Sequence, residues 1–185
     1  MKKTAFVLVA AAAAAFAGHA QAQLPIPNIT PFSVEARGGL SVPTGDQKDG
    51  VKTGWTAGAS LTYHALPLFG VYAGYTMDQW SGKDEVGGGH LTEQGLDVGA
   101  RLGIPTPMIP IDPWIRAGAV YHKVKVSDNA VANGSSDNKW GWEVGAGLGF
   151  ALGPKVSVTP GVTYTKIHDL GAQHVRADIG LRIRI

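Results

Sequence analysis

The stretch Val175–Ile185, VRADIGLRIRI, decides the fold. Successive side chains of a strand point to opposite sides. Val175, Ala177, Ile179, Leu181, Ile183 and Ile185 therefore share one face, and Arg176, Asp178, Gly180, Arg182 and Arg184 share the other. A soluble sheet would bury the first face and leave the arginines in water. A closed barrel in a bilayer does the reverse, with apolar side chains on lipid and charges lining the interior.

The start of the chain favours the second arrangement. Lys2 and Lys3 precede an apolar run, Phe6 to Ala17, that is too short to span a bilayer, and Ala20-Gln21-Ala22 supplies a small-x-small cleavage site. Residues 1–22 read as a cleaved signal peptide, the alternative being an uncut N-terminal anchor. Residues 23–31 (QLPIPNITP) read as a proline-rich periplasmic lead-in, and 32–185 as a single barrel domain. The whole chain holds 16 Lys and Arg against 14 Asp and Glu. With Lys2 and Lys3 removed the mature chain is neutral, which argues against a nucleic-acid partner. Cysteine is absent, so disulfides and thiolate chemistry are excluded. No mature segment is long and apolar enough for a transmembrane helix. Membrane residence then requires a closed sheet, because lipid offers no partner to backbone polar groups.

Seven further segments repeat the alternation of 175–185: 32–42, 54–65, 71–80, 91–104, 114–126, 140–152 and 156–167. In 140–152, Trp140, Trp142, Val144, Ala146, Leu148, Phe150 and Leu152 oppose Gly141, Glu143, Gly145, Gly147 and Gly149. The pattern predicts an all-β, eight-stranded antiparallel up-and-down transmembrane β-barrel. Each mature arginine (Arg37, Arg101, Arg116, Arg176, Arg182, Arg184) takes a polar-face position, together with Glu35, Asp78, Asp97, Glu143 and Asp178. The lysines fall in loops or near strand ends, where they can snorkel. These eleven charges are the candidate site: a nearly neutral network of arginine forks and carboxylates plugging the lumen. A soluble sandwich or lipocalin-like barrel is the competing fold. It would put the bulky apolar face inside, whereas here the polar face is glycine-rich and suits a narrow, crowded interior. Aromatics on the apolar face gather near strand ends, as interfacial girdles do: Trp55, Tyr63, Tyr75, Tyr121, Trp140, Trp142, Phe150 and Tyr164.

With both termini periplasmic, the outer loops are about 43–53, 81–90, 127–139 and 168–174, and the inner turns about 66–70, 105–113 and 153–155. The 105–113 turn (PTPMIPIDP) is stiffened by four prolines; it is an inert rigid turn or a contact site for a periplasmic partner. Glu35 is expected within reach of Arg182 or Arg184, because closure sets the first strand against the last.

The GLSVPTGD run (39–46) and the alternating final strand resemble the small Gram-negative outer-membrane β-barrels, the eight-stranded OmpA-like and OmpX-like group. The resemblance spans the mature chain and implies an integral outer-membrane location among lipid and lipopolysaccharide. It also implies insertion by the barrel-assembly machinery, with Ile179, Leu181, Ile183 and Ile185 as the insertion signal. That signal usually ends in Phe or Trp; here it ends in Ile185. Such families include structural proteins, adhesins, narrow channels and lipid-modifying enzymes, so the fold does not choose among them.

The charged interior favours a structural or surface-interaction role without catalysis or cofactor. A narrow or gated small-solute channel is the main rival. A lipid A-modifying enzyme would need a Ser/His/acid set at the outer rim, where His90, Glu93, His122, Ser127, Asp128, His168, Asp169 and His174 fall. None has a spacing that demands one, and TYTKIHDLG (163–171) lacks the His-x-Ser pair of the deacylase family. Asp46 with Asp49, or Asp84 with Glu85, could hold calcium, but neither pair has the spacing of a dedicated loop.

Overall fold

The computed structural model describes residues 31–83, 88–106, 111–128, 134–168 and 172–185. The signal peptide, nearly all of the lead-in, Asp84, Glu85, Asp169 and the centre of the 105–113 turn lie outside the described residues.

Eight long strands form in the order in which they occur: β1 (Phe32–Pro43), β2 (Gly54–Leu66), β3 (Phe69–Ser81), β4 (His90–Gly103), β5 (Trp114–Ser127), β7 (Lys139–Gly147), β9 (Val156–Ile167) and β10 (Gln173–Arg184). Two short pieces, β6 (Gly134–Ser135) and β8 (Phe150–Ala151), pair with β5 and β9. Each long strand pairs antiparallel with the next, and β10 pairs with both β9 and β1. The sheet is therefore closed. No edge is left to satisfy, the condition lipid imposes on a spanning sheet.

The segment expected to run unbroken over 140–152 is interrupted after Gly147, and the cause is Pro160 on β9. Leu148 N donates to Pro160 O at 3.0 Å. Proline has no N–H to return the bond, so one rung of the ladder is missing. The register resumes at Phe150 opposite Val158.

Burial follows the alternation. Along β10, His174, Arg176, Asp178, Gly180 and Arg182 are buried, while Ala177, Ile179, Leu181 and Ile183 are exposed. The same division runs round the barrel, with Leu40, Leu61, Val71, Leu96, Val98, Val144 and Val162 all exposed outward. Exposed apolar area on this scale needs an apolar solvent. The aromatic girdle is built from cross-strand neighbours: Phe32 with Tyr63 (5.2 Å between ring centroids), Tyr121 with Trp140 (4.9 Å) and Trp142 with Tyr164 (5.3 Å).

At the end carrying the termini, only Pro67 and Leu68 separate β2 from β3, and residues 152–155 separate β8 from β9. At the opposite end, the β1–β2 loop contains a one-turn helix, α1 (Gln47–Gly50). That loop is tied to β10 by Thr44 N to Gln173 O (2.8 Å) and Gln173 N to Gln47 Oε1 (3.0 Å). It meets the β3–β4 loop through Lys83 N to Gly50 O (3.0 Å) and a bridge between Val51 and Gly82. Length alone does not separate the two ends, since residues 104–113 join β4 to β5 at the end carrying the termini and only residues 168–172 join β9 to β10 at the other.

Candidate functional site in the barrel lumen

The inward side chains form two linked clusters. Near the periplasmic end Glu35 is the hub. It stands opposite Arg182 across the β1–β10 seam. Its Oε2 accepts from Arg182 Nε at 2.8 Å and Arg101 at 3.2 Å, and its Oε1 accepts from Arg37 at 2.6 Å. The Arg101 guanidinium also lies 4.1 Å from the Trp114 ring centroid, a cation–π contact. Trp114 fits in the lumen because Gly147 and Gly161 leave room for it. A Cβ on either would stand 2.4 or 2.7 Å from the indole.

The second hub is Glu143, midway along the lumen. Tyr72 donates to its Oε1 at 2.6 Å, and Arg116 approaches Oε2 at 3.5 Å while bonding Thr163 at 3.0 Å. Arg176 bonds the same Oε2 and reaches Thr165 at 3.0 Å. Glycine again supplies the space. A Cβ on Gly99 or Gly118 would lie 2.7 or 2.5 Å from the Tyr72 hydroxyl. Asp178 is buried on the same strand as Arg176 and Arg182, and its Oδ2 has no hydrogen-bond partner among the described residues.

From Arg176 the network continues outward. Arg176 Nη1 is 3.7 Å from Asp78 Oδ2, which is 3.5 Å from His174 Nε2. His174 Nδ1 is 3.8 Å from Glu93 Oε2. Glu93 Oε1 and Asp97 Oδ1 then hold His122 between them, at 2.9 Å from Nδ1 and 2.8 Å from Nε2. Two carboxylates cannot both accept from a neutral imidazole, so either His122 carries both protons or one carboxyl keeps its own. Thr76 donates to the other oxygen of Asp97. Trp80 packs edge-on against His174 (5.1 Å) and donates to Ser41 O at 3.1 Å.

Three placements differ from the sequence expectation. Arg184 is not in the network: it is exposed at the periplasmic mouth, 3.8 Å from the equally exposed Asp112. It lies one step beyond Arg182, and that step carries it past the enclosed part of the lumen. Glu93, His122 and His174, expected at the outer rim, are wholly buried. The cause is strand length, since β4, β5 and β10 remain paired around these residues. Trp80 and Trp114, assigned to neither face, are buried inside. The signal for all of these was parity. Glu93 lies an even number of residues from Asp97, His122 and Trp114 from Arg116, His174 from Arg176, and Trp80 from Asp78.

The remaining rim residues do not assemble. His90 faces Ser127 in register, with no hydrogen bond between them among the described residues, and Asp128 and His168 are exposed. Asp46 and Asp49 are exposed on either side of the start of α1. Ile179, Leu181, Ile183 and Ile185 form an exposed outward row.

A family model described as the outer membrane protein beta-barrel domain matches residues 7–182. No curated protein matches the chain. Among solved structures, the chain is similar to Neisserial surface protein A, with a TM-score of 0.68 and 17% identity over 84% of this chain and 97% of that one. It is also similar to Ail, the attachment invasion locus protein of Yersinia pestis, with a TM-score of 0.58 and 19% identity over 83% and 97%. A third is the outer membrane protein OprG of Pseudomonas aeruginosa, with a TM-score of 0.56 and 14% identity over 85% and 100%. At these identities the likeness is one of fold.

Proposed function

The chain belongs to the outer-membrane β-barrel family, and from that premise we propose a structural or surface-interaction role in which the lumen is closed by its own side chains. The barrel is integral to the outer membrane of a Gram-negative bacterium, with its termini in the periplasm. The observation that carries the proposal is the enclosure of the charges. Glu35, Asp78, Glu93, Asp97, Arg101, Arg116, Glu143, Arg176, Asp178 and Arg182 are all buried, although they line the inside of an eight-stranded barrel. Such a barrel has an interior about wide enough for side chains to fill. Charges removed from water are tolerable only when paired, and opening a path would break pairs that hold the wall together.

On this reading the outer loops are the working surface and the lumen is a brace. The outward row Ile179, Leu181, Ile183 and Ile185 is the segment that the assembly machinery grips during insertion, and lipopolysaccharide and lipid surround the finished barrel.

Purified protein in planar bilayers tests the closed lumen. The expected record is a flat baseline over the physiological voltage range; discrete, reproducible openings would establish the narrow or gated channel instead. Lipid A mass spectra with and without the gene test the absence of catalysis. Identical acyl patterns are expected, and a lost or gained chain would overturn that part of the proposal.

A further inference from the structure

Asp78, Glu93 and His174 lie at the outer end of the lumen, and each is completely buried. One ligand atom from each can be chosen so that all three lie within 4.8 Å of one another. Both oxygens of Asp78, Oε2 of Glu93 and both ring nitrogens of His174 lack a hydrogen-bond partner among the described residues. Orphaned buried polar atoms are costly, and so many at one point call for a missing partner.

His122, nearby in the same lumen, provides an internal comparison. It too lies between two carboxylates, but at 2.9 and 2.8 Å, where each contact is a hydrogen bond. His174 stands off from Asp78 by 3.5 Å and from Glu93 by 3.8 Å, too far for a hydrogen bond. Ligands held about 2.1 Å from a tetrahedral ion are about 3.4 Å apart. These two distances run to different ring nitrogens, and an ion takes only one of them. One nitrogen of His174 and one oxygen of each carboxylate nonetheless lie within 4.8 Å of one another, close enough for side-chain adjustment to close them on a single ion.

Charge points the same way. The outer half of the lumen holds Asp78, Glu93, Asp97 and Glu143, against the arginines Arg116 and Arg176. The periplasmic cluster has the opposite bias, with Arg37, Arg101 and Arg182 around Glu35. The extra proton shared by His122, Glu93 and Asp97 offsets one of these four acids, so the outer half is left acidic by one charge, which favours a cation at His174. Arg176, at 3.7 Å from Asp78 Oδ2, contributes opposing charge, but Glu143 engages its other terminal nitrogen.

We propose that Asp78, Glu93 and His174 bind one divalent first-row transition ion of the zinc type inside the outer end of the barrel. One imidazole with two carboxylates suits that class, whereas calcium and magnesium favour all-oxygen shells. The ion sits below the β1–β2 loop, against Trp80. The site does not depend on whether the barrel conducts.

The test uses the untagged mature chain, folded in detergent and stripped with a chelator, and titrated with Zn²⁺ against a chromophoric competitor. One ion per folded barrel is expected, with millimolar Ca²⁺ or Mg²⁺ failing to displace it. His174→Gln, Asp78→Asn and Glu93→Gln should each weaken binding about tenfold or more, while His90→Gln, at the exposed rim, should not. Only protein that migrates as the heat-modifiable folded form is scored. X-ray absorption at the zinc edge of the unaltered protein gives a readout that needs no variant, and one imidazole among oxygen ligands is expected. Absence of binding, binding insensitive to Asp78→Asn and Glu93→Gln, or a shell without imidazole would each overturn the proposal.

Discussion

Arg182 and Glu35 stand directly opposite each other on the last and first long strands, and Arg182 Nε donates to Glu35 Oε2 at 2.8 Å. This bond crosses the seam where the ends of the sheet meet. It is the one step of the ladder between strands that are distant in sequence, and so the step with the largest loop-closure cost. Arg37 and Arg101 converge on the same carboxylate. The seam is thus joined by side chains as well as by backbone.

Replacing Glu35 with Gln should be among the most damaging lumen substitutions. It leaves Arg37, Arg101 and Arg182 buried around a neutral amide, and breaking a buried pair in this way costs about 3–5 kcal/mol. Urea unfolding of the refolded barrel in lipid vesicles, followed by tryptophan fluorescence, measures it. A loss below about 1 kcal/mol, the range of an exposed pair, would mean the seam cluster contributes little.

Tyr72→Phe tests the second hub more gently. The Glu143 Oε1 atom loses the hydroxyl at 2.6 Å but keeps its wall and its arginines. The expected cost is about 1–3 kcal/mol. In a cycle with Glu143→Gln the two changes should couple by roughly 0.5–3 kcal/mol; strict additivity would show that the bond carries no energy.

Gly161→Val tests the space left for Trp114. The added Cβ would lie 2.7 Å from the indole and must displace it, and with it the cation–π contact to Arg101. Overpacking of this kind costs about 1–3 kcal/mol. A shifted tryptophan emission in the folded barrel should accompany the loss. Unchanged emission and stability together would show that the ring has another place to go.

Val98→Arg tests which face meets lipid. Val98 is exposed along β4, between the girdle level of Leu96 and the periplasmic end, and neighbours Ala73 and Ala119. An arginine on the lipid face near the midplane costs about 2–4 kcal/mol. Leu152→Arg, at the exposed periplasmic end of the β7–β8 line, should cost about 0–1 kcal/mol. Equal costs at the two sites would contradict the assignment of the outer surface to the bilayer.

Closure, strand number and facing were legible in the chain because alternation has a period of two. A residue's parity assigns it to lipid or lumen without any knowledge of its neighbours. That is why the arginines, Glu35, Asp78, Asp97, Glu143 and Asp178 could be assigned to one surface before any contact was known. Depth was less legible. Glu93 and His122 were expected in strands but at the exposed outer rim, and His174 in a loop, whereas pairing with adjacent strands kept all three enclosed. Arg184 erred in the other direction, because alternation does not say where the enclosed part of the lumen stops.

The linear pattern of VRADIGLRIRI and its seven counterparts was enough for an eight-stranded barrel with charge inside and apolar side chains outside, since strand geometry and an apolar solvent leave that pattern no better arrangement. One meeting was legible beforehand: closure put Glu35 within reach of Arg182 or Arg184, and it pairs with Arg182 across 147 residues. The others were settled only by the folded barrel, where Tyr72 reaches Glu143 across 71 residues and His174 comes between Asp78 and Glu93. Those meetings depend on stagger between strands and on closure of the sheet, properties of all eight strands together that no single segment encodes.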